Sequence, residues 1–403
     1  MTKSILKSGF LSVAMTVWIV NLALPALAAC QNTGNFQTWL ATFKKEAVAQ
    51  GISSRIVSYA LDGMTLDPKV IRSDRSQGVF SQTFLTFSDR MVSGYRLKNG
   101  AKHIKNMAAT FRRIESEFGV PAPVIVAFWA LETDFGANIG NLPVLRSLAT
   151  LAYDCRRPDQ FRHELLSALR IVERGDLTPQ QMVGPWAGEM GQTQFLASHY
   201  YSYGVDYDGD GRRDLLRSSA DALASAANLI ANLGSHKGQP WLEEVRVPRN
   251  MPWEEADLEI QHSRAQWAKW GVRQVNGQAI ASDNMKASLL LPMGRNGPAF
   301  LAYPNFQVYL GWNQSLVYAT TAAYLSTRFA GAPKVSRGNG PVDSLSLQQI
   351  RELQRLLARR GHAVGKIDGI IGAKTRAAVK AEQLKLGLPA DSYPTTELLN
   401  RLR

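Results

Sequence analysis

The sequence predicts a mainly α-helical protein of the α+β class that carries one small β insertion. Apolar residues recur at helical spacing in residues 35–118, 161–172, 221–233 and 315–329. Residues 286–291 and 299–303 have strand character instead, and the Gly- and Pro-containing stretch between them is turn-forming. The 403 residues are 45% hydrophobic and 20% charged, an ordinary globular composition with enough material for two or three domains.

Residues 1–29 are predicted to be an export signal. Lys3 and Lys7 precede an apolar stretch at residues 11–24, which is short for a membrane span, and small residues follow at 26–29. We therefore expect a soluble periplasmic protein of the Gram-negative type. The formal net charge of +13 suits weak attraction to a polyanion such as an anionic wall polymer, whereas export argues against nucleic acid as a partner.

The chain has two cysteines, Cys30 and Cys155, and two interpretations of them stay open. Residues 27–30 match a bacterial lipobox, in which Cys30 becomes an acylated N-terminus and the protein an outer-membrane lipoprotein. Alternatively, ordinary signal cleavage leaves Cys30 able to form a disulfide with Cys155, as an oxidising exported compartment allows. The pattern before Cys30 slightly favours the disulfide.

The domain boundaries follow from changes in composition. After the signal at 1–29 we predict a catalytic domain at 30–330, a linker at 331–343 and a second domain at 344–403. The linker is rich in Gly and Pro and has no apolar period. Residues 344–403 carry an apolar helical stripe through Ile350, Leu353 and Leu357, and they contain no metal or nucleophile chemistry. The unit is near the lower size limit for a self-sufficient core. Because it contains no such chemistry, it is more typical of a binding module than of a catalyst.

Glu132 is the strongest catalytic candidate. Pro121 and Pro123 fit the first turn of a helix that Gly136 would end, and Glu132 shares a face of that helix with Phe128. Burial on an apolar face raises the pKa of a carboxylic acid, and cleavage of a glycosidic bond needs an acid that is still protonated near neutral pH. A structural Glu paired with a nearby Arg is the alternative, and the residues alone do not separate the two.

Residues 206–214 have the pattern of a calcium loop. Carboxylates occupy positions 1, 3 and 5, Gly occupies position 6, and position 7 supplies a backbone carbonyl. Position 12 is Arg217 rather than the usual bidentate Glu, so another acid has to close the site. The predicted ligands are Asp206, Asp208, Asp210, the carbonyl of Arg212, and either Asp214 or Asp221. The alternative is an Asp- and Gly-rich surface turn, and no organic cofactor is predicted.

Two further segments are candidates for binding a polymer. In residues 186–195, glycines leave the backbone open to a close ligand, and Gln194 has an amide for hydrogen bonding. From spacing alone, a structural Gly-rich turn is favoured there. The Trp312–Asn313 pair, with Tyr318 further on, suits stacking on sugar rings, although a capped helix start explains it equally well. The Gly-x-Ser-x-Gly and His-Glu-x-x-His motifs are absent, and the six His show no ligand spacing.

Taken together, these residues resemble the membrane-bound lytic murein transglycosylase B family, of the glycoside hydrolase family 103 type. The resemblance spans residues 35–330 and is carried by residues 119–121 leading into 131–136, by residues 186–195, by the Asp-rich loop and by Trp312–Asn313. Residues 367–375 resemble a peptidoglycan-binding domain of the three-helix type. Both resemblances point to peptidoglycan glycan strands as the partner.

The resemblance implies a lysozyme-like core that cleaves the bond between N-acetylmuramic acid and N-acetylglucosamine without water, leaving a 1,6-anhydromuramoyl end. Carried over, Glu132 is the single acid and then the base, and the calcium site is structural. Gln194, Asn313 and Tyr318 map onto substrate-contacting positions, and Trp312 stands where the family often has Tyr.

Two alternative functions stay open. Ordinary glycosidases use two carboxylates, and Glu189 is the only sequence candidate for the second, because Asp134 points away from Glu132 on a helix. Glu132 with Glu189 would make a hydrolytic muramidase. The other alternative, from a different class, is a non-catalytic scaffold that binds the cell wall.

Overall fold

The computed structural model describes residues 34–76 and 82–403, and it is mainly helical. The predicted export signal and Cys30 lie outside the described residues. In chain order the helices are α1 (Phe36–Ala49), α2 (Ser54–Leu61), α3 (Pro68–Arg75), α4 (Phe84–Met91), α5 (Gly94–Asn106), α6 (Ala108–Phe118), α7 (Ala122–Thr133), α8 (Val144–Tyr153), α9 (Pro158–Arg174), α10 (Ala197–Tyr203), α11 (Ser219–Asn232), α12 (Arg264–Lys269), α13 (Phe306–Trp312), α14 (Leu316–Phe329), α15 (Leu347–Arg359), α16 (Ala373–Lys385) and α17 (Thr396–Leu402).

Within the described residues the β structure is small. Strands β1 (Leu142–Pro143) and β2 (Val183–Gly184) form an antiparallel pair. The strands β3 (Leu242–Arg246), β4 (His262–Ser263), β5 (Arg273–Gln274), β6 (Lys286–Leu290) and β7 (Ala299–Ala302) form a five-stranded antiparallel sheet in the order β4-β6-β7-β3-β5. The hairpin β6–β7 confirms the two predicted strands and the turn between them. The predicted fold class, a helical protein with a small β insertion, is therefore confirmed.

Helix α7, which carries Glu132, lies at the centre of the main core. Ten of its twelve residues are buried, and it packs against α5, α6, α11 and α14. A helix that is apolar on every side is stable only when neighbouring helices enclose it. It ends at Thr133, earlier than the predicted stop at Gly136, because Asp134, Phe135 and Gly136 all have positive φ, at 50°, 65° and 86°.

Two smaller cores accompany the main one. The sheet packs around the fully buried Trp267 together with Leu289 and Leu301. Helices α15, α16 and α17 enclose a separate cluster that includes the predicted stripe residues Ile350, Leu353 and Leu357. Among the described helices, no single one has the length and apolarity of a membrane span; α6 and α7 meet that test only together, across a bend of 109°.

Residues 331–343 have neither helix nor strand, yet they are bonded along the catalytic domain. The Asn339 side chain donates to the carbonyl of Val247 at 3.0 Å, and Arg337 pairs with Asp89 at 2.7 Å. Gly338, at a φ of 89°, lies so close to this surface that a Cβ there would be 2.3 Å from the Asn296 carbonyl oxygen. A larger residue has no room there, so this part of the segment lies directly against the turn between β6 and β7.

Candidate active site

The carboxyl group of Glu132 receives two hydrogen bonds on one oxygen. The indole Nε1 of Trp312 donates to Oε1 at 2.9 Å, and the hydroxyl of Tyr318 donates to the same oxygen. These donors lie 180 and 186 residues along the chain from Glu132. No basic residue of the described chain forms an ion pair with Glu132. The structure therefore does not support the alternative in which Glu132 is a structural carboxylate paired with an Arg.

Burial raises the pKa of Glu132 into the range that suits a general acid. It raises the pKa of the carboxyl from 4.5 to about 7; the hydrogen bonds from Tyr318 and Trp312 oppose this rise, and the charge of Glu189 adds to it. An indole nitrogen can only donate, and burial holds the pKa of Tyr318 well above its ordinary value, so the phenol also stays a donor. Oε1 is thus occupied as an acceptor, and the proton of the neutral acid resides on Oε2.

The turn between α13 and α14 brings both donors to Glu132. Trp312 is the last residue of α13, and Tyr318 lies in the first turn of α14. Between them, Asn313 Oδ1 accepts the backbone N–H of Ser315 at 2.9 Å, and the Ser315 side chain caps α14. The capped helix start, which the sequence analysis gave as the alternative to sugar stacking, is therefore present. The Asn313 Nδ2 group has no hydrogen-bond partner among the described residues.

Aromatic contacts hold the ring of Trp312 beside the catalytic helix, and its stacking on a sugar ring stays a prediction. Its ring stacks on Phe128 of α7, with centroids 4.2 Å apart and planes at 21°. Phe195 lies edge-on to it at 5.7 Å. With one face covered by Phe128 and its N–H bonded to Glu132, the indole is fixed as part of the wall around the acid.

The Gly-rich segment packs against the protein interior. A Cβ on Gly191 would be 2.7 Å from the carbonyl oxygen of Leu215, so the absent side chain permits internal packing. The structure therefore favours the structural turn over close approach by a polymer. Gln194 follows with a φ of 50°, and its Nε2 donates to the carbonyls of Gly191 at 2.9 Å and Ile139 at 3.3 Å. Its Oε1 has no partner within the described part of the chain.

Gln192 connects this segment to the catalytic helix, and no local pattern in the sequence singles it out. Its buried Oε1 accepts the indole N–H of Trp129 at 3.0 Å, while its Nε2 donates to the carbonyl of Leu216 at 3.3 Å. The hydroxyl of Thr133 donates to the backbone carbonyl of Gln192 at 2.5 Å. The last turn of α7, on which Glu132 lies, is thereby bonded to the Gly-rich segment and to the residues that follow the Asp-rich loop.

Two other acids lie near Glu132 in sequence or space. Asp134 pairs with Arg96 at 2.7 Å and is engaged there. Glu189 is partly buried, and burial raises its pKa; its own backbone hydrogen bond and the charge of Arg157 oppose that rise. The charge of Glu189 also raises the pKa of Glu132. Glu189 stays the candidate second carboxylate of the two-acid alternative.

The Asp-rich loop brings three of the predicted metal ligands together. One carboxylate oxygen from each of Asp206, Asp208 and Asp210 lies within 4.8 Å of the others. Hard oxygen donors at this spacing fit calcium. Arg212, the predicted carbonyl ligand, continues the same turn and donates its backbone N–H to Asp210 at 2.9 Å.

The loop is closed differently from the prediction. Asp221 is fully buried, and its carboxylate accepts the backbone N–H groups of Tyr207, Asp208 and Asp214 at 2.8, 3.2 and 2.8 Å. It therefore braces the loop from α11 and does not belong to the carboxylate cluster. Asp214 instead pairs with Arg217 at 2.7 Å.

This chain is similar to known proteins over most of its length. Residues 35–327 match the transglycosylase SLT domain family, and residues 346–402 match a putative peptidoglycan binding domain. The membrane-bound lytic murein transglycosylase B of Escherichia coli is 30% identical over 240 residues, 59% of this chain and 64% of that protein, so the chain spans slightly less than two thirds of that relative.

Solved structures extend the likeness across both parts of the chain. SltB3 from Pseudomonas aeruginosa, in complex with NAG-anhNAM-pentapeptide, is 41% identical with a TM-score of 0.85, covering 92% of this chain and 100% of that one. The Escherichia coli lytic transglycosylase Slt35, in complex with calcium, is 26% identical with a TM-score of 0.63, covering 72% and 92%. From the family match over most of its length, this chain belongs to the transglycosylase SLT domain family.

Proposed function

We propose that this protein is a peptidoglycan lytic transglycosylase. It cleaves the β-1,4 bond between N-acetylmuramic acid and N-acetylglucosamine without water and leaves 1,6-anhydromuramoyl ends. The observation that carries the proposal is Glu132, a carboxylic acid with a pKa of about 7 whose Oε1 is engaged by Trp312 and Tyr318. Family membership supports it, as does the anhydro-sugar ligand of the SltB3 complex.

One carboxyl group is enough for this reaction. Protonated Glu132 gives its Oε2 proton to the glycosidic oxygen as the bond from that oxygen to C1 of the muramic sugar breaks. The resulting carboxylate then takes the proton from the muramic 6-hydroxyl while O6 forms a bond to C1. Glu132 is protonated again, and no water is consumed. A nucleophile held within the substrate has a high effective concentration, so this step competes with attack by water.

The neighbours of Glu132 have separate roles in this scheme. Trp312 and Tyr318 stabilise the carboxylate that exists between the two proton transfers, since both donate to Oε1. Gln194 and Asn313 bind hydroxyl and N-acetyl groups of the sugar, because each keeps a side-chain amide atom without a partner among the described residues. The C-terminal unit, residues 344–403, binds peptidoglycan, and residues 30–330 form the catalytic domain.

Calcium is proposed as a structural ion of the loop. Asp206, Asp208 and Asp210 would hold it with the carbonyl of Arg212, and it would replace mutual repulsion of three carboxylates with attraction. The calcium complex of Slt35 supports this assignment by analogy.

Export to the periplasm and a disulfide between Cys30 and Cys155 are further parts of the proposal. Cys155 is not a free thiol. The intact mass of the mature protein tests the pairing: loss of two hydrogens relative to the reduced form supports it, whereas a diacylglycerol adduct on Cys30 shows a lipoprotein.

The deciding experiment is mass spectrometry of products from purified murein sacculi. The wild type should release muropeptides one water lighter than hydrolytic products. Glu132→Gln should lose about two to four orders of magnitude in rate, the usual contribution of a general acid. Glu117→Gln is the matched control, because Glu117 is exposed on α6 and has no bond to the site.

Two outcomes would favour the alternatives. Hydrated reducing ends that disappear in Glu189→Gln would establish a hydrolytic muramidase that uses Glu132 and Glu189. Wild-type protein that binds sacculi and releases nothing would establish a scaffold.

A further inference from the structure

One exposed face of helix α5 carries three cations and an aromatic ring, and we call it the α5 stripe. It consists of Tyr95, Lys98, Lys102 and Lys105. Steps of three, four and three residues keep these side chains within about a quarter of the helix circumference, and they extend over about 15 Å of its length. All four are exposed, and Tyr95, at 60%, is the most exposed of the large hydrophobic residues in the described chain.

The opposite face of α5 fixes the direction of this stripe. Leu97 and Ile104 lie on that face and pack against the main core. Gly100, between them, is buried so close to α14 that a Cβ there would be 2.3 Å from the ring of Phe329. Because α5 is held on the core by this side, the α5 stripe points out from the catalytic domain.

The sequence around the α5 stripe has no acid to balance its charge. Between Asp89 and Glu115 there is no Asp or Glu, whereas Lys or Arg occurs at seven positions. The three lysines of the stripe form no ion pair with any residue that the structure describes. A charged face on a soluble helix usually mixes both signs, so a face with cations alone is a candidate for binding an anionic partner.

Neighbouring elements of the described structure do not supply the missing carboxylates either. Helix α5 packs mainly against α6, α7 and α14, and α14 contains no Asp or Glu. Glu132 of α7 is engaged in the candidate active site, and Asp134 after it pairs with Arg96 at 2.7 Å. The two acids of α6, Glu115 and Glu117, lie in its last turn, at the end away from the junction with α5. The α5 stripe therefore keeps its positive charge.

The shape of the α5 stripe favours one kind of anionic partner. A single small anion is recognised by donors that converge in a recess, whereas these lysines stand side by side on a convex helix, where each meets a separate charge. A layer of anionic phospholipid headgroups presents such separated charges, and a Tyr side chain suits the boundary between headgroups and acyl chains. A hydrated wall polymer would give Tyr95 no apolar layer to enter.

We propose that the α5 stripe docks this protein on a membrane surface rich in anionic phospholipid. Its lysines contact the headgroups, and Tyr95 enters the boundary with the acyl chains. This contact is separate from the proposed cleavage of peptidoglycan and from any acyl chain on Cys30. Because Arg96 and His103 of the same helix contact residues at the end of α7, docking brings the catalytic domain next to the lipid.

Cosedimentation of the protein with lipid vesicles tests the docking. Vesicles of phosphatidylcholine alone are compared with vesicles of phosphatidylcholine and phosphatidylglycerol in equal parts. The wild type should bind the anionic vesicles more tightly, and high salt should remove that preference, because exposed charges are screened. Lys98→Gln, Lys102→Gln and Lys105→Gln should each weaken binding to anionic vesicles about five-fold, and the triple variant about 100-fold. Tyr95→Ser should weaken binding and leave its salt dependence unchanged, because an apolar contact is not screened.

A second triple variant removes the same charge elsewhere and is the matched control. Lys69, Lys286 and Lys366 are exposed, form no ion pair with a described residue, and lie on α3, on β6 and in the C-terminal unit. Their joint replacement by Gln should leave binding to anionic vesicles as in the wild type, and any group on Cys30 is common to all variants. An equal loss in both triple variants would show attraction by net charge and overturn the inference, as would equal binding of the wild type to neutral and anionic vesicles.

Purified sacculi, which contain no lipid, keep this inference separate from the proposed function. The α5 triple variant should bind and cleave sacculi as the wild type does, since its lysines lie outside the site around Glu132. A loss of sacculus binding as large as the loss of vesicle binding would show a surface for the wall polymer and overturn the membrane assignment. Absence of anhydro products from the wild type would defeat the proposed function and leave the vesicle result standing.

Discussion

Tyr318→Phe should move the pH dependence of cleavage to higher pH. In the structure the Tyr318 hydroxyl and the Trp312 indole both donate to Glu132 Oε1, and both bonds favour the ionised carboxylate. Removing the phenol hydroxyl takes one of these bonds away, so the pKa of Glu132 should rise above its value of about 7. A hydrogen bond to a charged group contributes about 1.5–3 kcal/mol, and one pKa unit corresponds to about 1.4 kcal/mol. The expected rise is therefore about one to two units.

The sign of the effect on activity follows from the role of Glu132. A general acid must be protonated, so activity falls as pH rises through its pKa. The descending limb of the kcat/KM profile should lie near pH 7 in the wild type and about one to two units higher in Tyr318→Phe. The maximal rate should fall at the same time, because the carboxylate formed after the first proton transfer has lost a donor.

The assay is release of muropeptides from sacculi, followed over pH 5–10 at constant ionic strength. Tyr309→Phe is the matched control: Tyr309 stacks on Phe128 in the same aromatic cluster, but its hydroxyl bonds to Ser326 at 2.8 Å. That variant should keep the wild-type limb. A Tyr318→Phe limb that stays in place or moves to lower pH would refute the assignment of Glu132 as the titrating acid.

Three other predictions concern stability and the loop. Because the folded-state pKa of Glu132 is raised from 4.5 to about 7, the free energy of unfolding of the wild type falls as pH rises through that window. In thermal melting, Glu132→Gln should therefore be more stable than the wild type at pH 8, by up to about 3 kcal/mol, and equally stable at pH 4. Gln192→Leu should lower stability by about 2–4 kcal/mol and reduce kcat, because the Trp129 N–H and the Leu216 carbonyl each lose a buried partner; thermal melting and steady-state kinetics measure both. A chelator should lower the melting temperature of the wild type, and Asp206→Asn should abolish most of that response; a chelator effect of equal size in both proteins would contradict the calcium assignment.

Local patterns predicted most of the described helices, but among the strands only the two of the hairpin β6–β7. The hairpin β6–β7 and helix α15 appear where turn residues and periodicity indicated them. The end of α7 was predicted too late, because Asp134 adopts positive φ without being glycine and is held by Arg96 from α5. A spacing rule has no access to that distant partner.

The candidate site was predicted in part. The sequence analysis selected Glu132 and three loop carboxylates because both patterns are local. An acid on an apolar helix and a row of alternating Asp residues each span only a few positions. Asp221 was nominated as a metal ligand, whereas its carboxylate accepts three backbone N–H groups. The structural turn that spacing favoured for residues 186–195 is supported at Gly191, where a Cβ would meet Leu215. Both outcomes depend on which segments pack together, which one-dimensional spacing does not record.

The sequence by itself determined an acid on a fully apolar helix, a loop of alternating carboxylates and a helical unit after a Gly- and Pro-rich segment. Each of these is a local pattern, set by the 3.6-residue helical period or by the geometry of one turn. Only the tertiary structure decided what the acid can do. Folding brings Trp312 and Tyr318 onto one oxygen of Glu132 from 180 and 186 residues away, while burial raises its pKa to about 7. It also brings Arg376 of the C-terminal unit to the catalytic domain, where its guanidinium donates to the carbonyl of Leu291. Desolvation and long-range hydrogen bonds arise from packing between distant segments, so they exist only once the chain is folded.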